Sequence, residues 1–133
     1  MDTYTIDLEG TDARTLRYST SASSSDLTVT RSGGEWYFNV LSSGSYKITF
    51  QCVTEGLTFQ NKGFELLWPS PAPSEYSVSS VSGGDTSGWV ENSSSTPSGN
   101  VGFKFQLIGP SGNNFQSPDP IIENGSSSSN NGY

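Results

Sequence analysis

Apolar and polar residues alternate along most of this chain, and no window repeats its apolar residues with the period of a helix. In TYTIDLE, Tyr4, Ile6 and Leu8 fall on one face. RTLRYS offers Leu16 and Tyr18, and LTVTR offers Leu27 and Val29. EWYFNVL aligns Trp36, Phe38 and Val40, and YKITFQ aligns Tyr46, Ile48 and Phe50. The pattern returns in LTF and in GFELLW, where Phe64, Leu66 and Trp68 are in phase. It is clearest in VGFKFQL, with Val101, Phe103, Phe105 and Leu107 on one side. This period belongs to half-buried strands. Gly, Ser, Thr and Pro recur too densely between the runs for a long helix.

The breaks carry turn chemistry. SGG follows LTVTR and SSGS follows EWYFNVL, so Leu27 to Gln51 reads as a three-stranded meander. PSPAPS cannot pair as a central strand and reads as an extended crossover or an edge. YSVSSV is a short strand. SGGDTSG and ENSSSTPSGN are loops, with Trp89 and Val90 between them. The sum is an all-β protein, an antiparallel β-sandwich of about seven to nine short strands with little or no helix. The 133 residues suit one domain. Its expected bounds are 1–123, with a Ser/Asn-rich low-complexity tail at 124–133. Only 31% of residues are hydrophobic but 12% are aromatic, so rings and β-branched side chains must build the core. Phe38, Phe50, Phe103, Phe105 and Leu107 are expected to share it.

Several function classes fall away. The net charge is −7 and no Lys/Arg run exists along the chain, which leaves no footprint for nucleic acid. An anionic membrane surface would repel such a chain. No basic and apolar leader follows Met1 and no transmembrane run occurs, so the expected location is cytoplasmic. There is no histidine, which removes Ser-His-Asp and Cys-His catalysis and most zinc sites. The single cysteine, Cys52, cannot close an internal disulfide and reads as a small core residue. SGGDTSG lacks the lysine and the strand-to-helix setting of a phosphate loop. A carboxylate pair could serve a glycosidase, but the 13 acids are scattered. An acid-pair hydrolase is therefore the last of the readings, no catalytic residue is assigned, and no cofactor is expected.

Two constellations remain. PDPIIEN brings Asp119, Glu123 and Asn124 together, and GGDTSG adds Asp85; oxygen ligands of this kind suit calcium. The spaced acidic loop of an EF-hand is missing, so no metal is favoured. Asp119 and Asn124 read instead as turn residues that satisfy backbone donors at the last strand. Pro118 and Pro120 fix an extended path, and one of Ile121 and Ile122 plugs the open end of the sandwich, as a latch. The second constellation is aromatic. Trp36 and Trp68 are in phase with core residues, but Trp89 stands in a Gly/Ser loop and Tyr37 faces away from Trp36 and Phe38. With Asp85 and Asn92 nearby, a ring and polar groups of this kind fit a carbohydrate-binding module. The N-x-S triplets at Asn92 and Asn124 read as chance in a Ser/Asn-rich chain.

The ending VGFKFQL…SGNNFQSPDPIIENG resembles the ending of small bacterial proteins of the DP-EP family, and more distantly of the AidA/PixA-type inclusion-body proteins. The matching positions are Phe103, Phe105, Leu107, Asp119, Pro120, Ile122 and Asn124, and the strand–loop–strand layout of YKITFQC…LTFQNKGFELLW is also similar. The resemblance covers mainly the C-terminal two thirds. It implies a β-sandwich of unassigned chemistry, with intracellular inclusions formed by some AidA/PixA-type members, and it supplies no catalytic residues. The leading expectation is thus a non-enzymatic sandwich that binds or self-associates, with itself as partner; a glycan partner is the alternative. TYTIDLE, which has no proline and few charges, is the expected unguarded edge for a two-fold dimer.

Overall fold

The computed structural model describes residues 1–20, 26–42, 44–68 and 73–125, without the side chain of Trp68. The Ser/Asn tail from 126 on and the Pro-rich residues 69–72 lie outside the described residues. Among the described residues there are eleven strands and no α-helix. They are β1 (Asp2–Glu9), β2 (Arg17–Thr20), β3 (Leu27–Ser32), β4 (Glu35–Val40), β5 (Tyr46–Cys52) and β6 (Thr58–Trp68). Then follow β7 (Tyr76–Val78), β8 (Ser87–Asn92), β9 (Asn100–Ile108), β10 (Asn114–Gln116) and β11 (Ile121–Asn124). One sheet runs β2-β1-β5-β8-β7. In the other, β9 carries β6 on one edge and, on the other edge, first β10 and then β11; β4 and β3 continue beyond β11.

The sandwich is as expected in class, with three departures in pairing. It is mixed rather than wholly antiparallel, because β1–β5 and β4–β11 are parallel. The meander from Leu27 to Gln51 is a hairpin followed by a change of sheet. β3 and β4 pair across Gly33 and Gly34, whose φ values of 59° and 84° are those of a tight hairpin turn. β5 instead pairs with β1 and β8 in the opposite sheet. Thirdly, TYTIDLE is an edge only in part: β5 pairs with β1 over Asp2–Leu8 on one side, whereas on the other β2 pairs only with Ile6–Glu9 among the described residues. A two-fold pairing through that strand is thereby confined to its first half, Asp2 to Thr5.

The inward faces carry the expected residues. Phe38, Phe50, Phe103, Phe105 and Leu107 all lie in one buried cluster, with Phe59 and Phe64 added from β6. Those two face inward although they are five positions apart. A bulge between them, with Lys62 at φ 58°, restores the phase, and Gln60 Nε2 donates to the Leu107 carbonyl at 2.9 Å across the gap.

The stretch SPDPIIEN is a working part of this core, not a plug at its mouth. β11 lies centrally between β9 and β4, and both isoleucines are buried. The prolines fall in the break between β10 and β11, where the missing N–H groups do least harm. Ser117 bridges the break: its N–H donates to the Phe105 carbonyl, and its Oγ accepts the Phe105 N–H, both at 2.9 Å. Ser117→Ala would leave that buried N–H without a partner, so a loss of about 1–3 kcal/mol in urea unfolding is expected. A loss below about 0.5 kcal/mol, the ordinary value for surface changes, would remove the bridge from the account.

Candidate functional site

Trp89 is in a strand, not in a loop. It lies in β8 with its backbone opposite Thr49, and its half-buried ring is on the outer face of the first sheet. Gly88, which looked like loop composition, faces inward; a Cβ there would meet the Phe64 ring at 2.6 Å. The outer face around Trp89 is polar, with Lys47, Thr49 and Gln51 from β5 and Glu91 from β8. The Lys47 ammonium sits 4.8 Å from the ring centroid of Trp89. A sugar stacking on that side of the ring would have to displace a cation.

The other expected site residues do not join it. Tyr37 is on the outer face of the opposite sheet, between Thr30 and Ile121, with its phenol raised by the charge of Glu35. Asp85 caps a turn, accepting the Ser82 N–H at 2.9 Å. Asn92 is fully buried, and its Oδ1 accepts the Ser94 N–H. Asp119 is exposed before β11, whereas Glu123 and Asn124 are neighbours on one strand and point to opposite faces. No group of three His, Cys, Asp or Glu side chains placed to hold a metal occurs among the described residues.

Asn124 belongs to the sandwich rather than to the tail. It is 1% exposed and ties three segments together. Its Oδ1 accepts from the Tyr46 hydroxyl at 2.6 Å, and its Nδ2 donates to the Tyr76 hydroxyl and the Gly99 carbonyl, each at 2.9 Å. It thus serves backbone acceptors, not the backbone donors expected of it. Burial first, and then the neighbouring Tyr76, push the Tyr46 phenol far above its usual value. With Asn92 and Asn124 both buried, neither N-x-S triplet presents its amide to solvent. Burial also raises the Cys52 thiol to about 12, so it is not a thiolate at neutral pH.

One grouping was not legible in the sequence. All three arginines of the chain, Arg14, Arg17 and Arg31, line one open depression of about 570 Å³ together with Glu9, Thr15 and Thr54. It lies at the end of the sandwich where β1 turns into β2. The absence of a basic run holds along the chain but not in space. The signal was weak because the three come from a loop, from β2 and from β3.

These features define a small mixed β-sandwich with a buried polar network and one arginine-lined depression. No known family model matches the chain, and no curated protein matches it in sequence. Its fold is similar to the crystal structure of the PixA inclusion body protein from Burkholderia cenocepacia J2315. The likeness has a TM-score of 0.55 at 8% identity and covers 93% of this chain and 97% of that one. The AidA/PixA-type resemblance therefore stands at the level of the fold.

Proposed function

We propose that this chain is a non-catalytic β-sandwich that acts by associating with copies of itself. The observation that carries this reading is the fold shared, over nearly the whole of both chains, with a protein described as an inclusion body protein. The chemistry of the chain supports it. It has no histidine, and its one thiol is held protonated by burial. β1 is paired on both sides from Ile6 to Leu8, which leaves an edge contact only its first half, Asp2 to Thr5. The terminal strands of the first sheet, β2 and β7, are short, which limits edge-to-edge pairing there.

Charge sets the expected behaviour. Copies carrying −7 repel one another at low ionic strength, and added salt screens that repulsion. Sedimentation velocity over a concentration series, at low and at high salt, should show association that rises with both. A chain that stays monomeric at the highest concentration and salt would end the proposal. The glycan alternative rests on Trp89 alone, and the Lys47 ammonium over its ring weighs against it. Retardation in a polysaccharide gel, abolished by Trp89→Ala, would restore it.

A further inference from the structure

We infer that the arginine-lined depression is a binding site for a small molecule carrying more than one negative charge on oxygen, either as carboxylates or as a phosphate. The chain has six basic residues against 13 acids, yet half of its cations converge here. The lining carries three guanidinium groups against one carboxylate, Glu9. Glu9 is matched to Arg17 at 3.5 Å. Arg31 makes no ion pair within 4 Å among the described residues, and neither does Arg14, whose charge is felt by the Asp12 carboxylate at longer range.

The cations are held in place by separate devices. Arg31 lies over the Trp36 ring, 5.1 Å from its centroid, and Trp36 is itself fixed edge-on against Tyr18 at 5.3 Å. Arg14 rides on a turn organised by Asp12. The Asp12 Oδ1 accepts the N–H groups of Arg14 and Thr15 and the Thr15 hydroxyl, each at 3.0 Å. That acid is thus occupied in shaping the turn. Gly10 begins the turn with φ 147°, and a Cβ there would meet Leu16 Cα at 2.7 Å, so the loop closes tightly on β2. Thr54 Oγ1 accepts the Gly10 N–H at 2.9 Å, which leaves its own proton free to point at a ligand. Guanidinium forks and a hydroxyl donor are the groups that recognise carboxylate and phosphate oxygens. Three such forks call for more than one negative charge.

The test is an amide NMR titration of the whole chain with citrate and, separately, with inorganic phosphate, each against sodium chloride at matched ionic strength. Saturable shifts are expected at Gly10, Thr11, Thr15 and Thr54. Saturation by citrate alone identifies a carboxylate ligand, and saturation by phosphate alone identifies a phosphate ligand. Arg14→Gln and Arg31→Gln should each weaken binding about tenfold, as for loss of a charged hydrogen bond. Arg31→Lys, which keeps the charge, should recover part of that loss, and Lys47→Gln, on the outer face by Trp89, should change nothing. Shifts that grow without saturating, or that chloride reproduces, overturn the proposal. So does saturable binding that neither arginine variant weakens, or binding only of an acidic peptide.

Discussion

Phe105→Ala is expected to cost about 3–5 kcal/mol, as for other large core aromatics, and to lower the melting temperature by roughly 10–20 °C. Phe105 is fully buried and sits at the centre of the ring cluster. Its centroid lies 4.8 Å from Phe50, 5.1 Å from Phe64 and 5.2 Å from Phe103, with Tyr18 at 5.9 Å and Phe59 at 6.2 Å. Those partners come from β5, β6, β9 and β2, so both sheets rest on this one ring. Removing it opens a cavity between rigid rings that cannot rotate inward without losing their own edge-to-face contacts. The measurement is urea unfolding with the slope held under check. A fall in midpoint at constant slope reports lost packing, whereas a fall below about 1 kcal/mol would mean that the neighbours collapse into the space.

The phase of that strand was legible in VGFKFQL, because a pleated backbone shows every second residue to the core. The alternation states which face a residue takes, and it is silent on which strand lies beside it. That is why β5 could be placed next to β4 when it pairs with β1 and β8. The difference between SGG and SSGS was available in principle. Two adjacent glycines permit the two-residue turn that returns a strand on itself, whereas β4 and β5, separated by SSGS, lie in different sheets. Trp89 was misplaced for a related reason. Glycine beside it suggested a loop, but Gly88 is glycine because Phe64 and Val81 occupy the space a side chain would need. The arginine depression was hidden because its residues converge only once β1, β2 and β3 are assembled. The self-pairing edge assigned to TYTIDLE is narrowed to Asp2–Thr5, because β2 pairs with Ile6–Glu9 and β5 takes the other side in a parallel pair that no local signal announces.

Asn124→Leu is expected to cost about 2–4 kcal/mol, although the residue sits where the chain turns into a Ser/Asn-rich stretch. The size is similar to leucine, so packing changes little; what is lost is the shared partner of the Tyr46 and Tyr76 hydroxyls, whereas the Gly99 carbonyl keeps the backbone N–H of residue 124 at 3.1 Å. Both hydroxyls lie where water cannot replace it, since Tyr46 is fully buried and Tyr76 nearly so. Were Asn124 the first residue of a loose tail, the change would stay within about 0.5 kcal/mol. Asn124→Asp separates the hydrogen-bond account from simple crowding. A protonated carboxyl there can accept from Tyr46 and donate to Gly99, as the amide does; an ionised one meets the Gly99 carbonyl with like polarity and loses its solvation. The folded state therefore raises the pKa of that carboxyl above its unfolded value of about 3.9. The native form then holds a proton that the unfolded chain releases, so stability falls as pH rises from that value towards the raised one. Relative to the wild type at each pH, the aspartate chain should be nearly as stable near pH 4 and weakest at neutral pH. A deficit that does not change with pH would show that the amide holds these strands by shape alone.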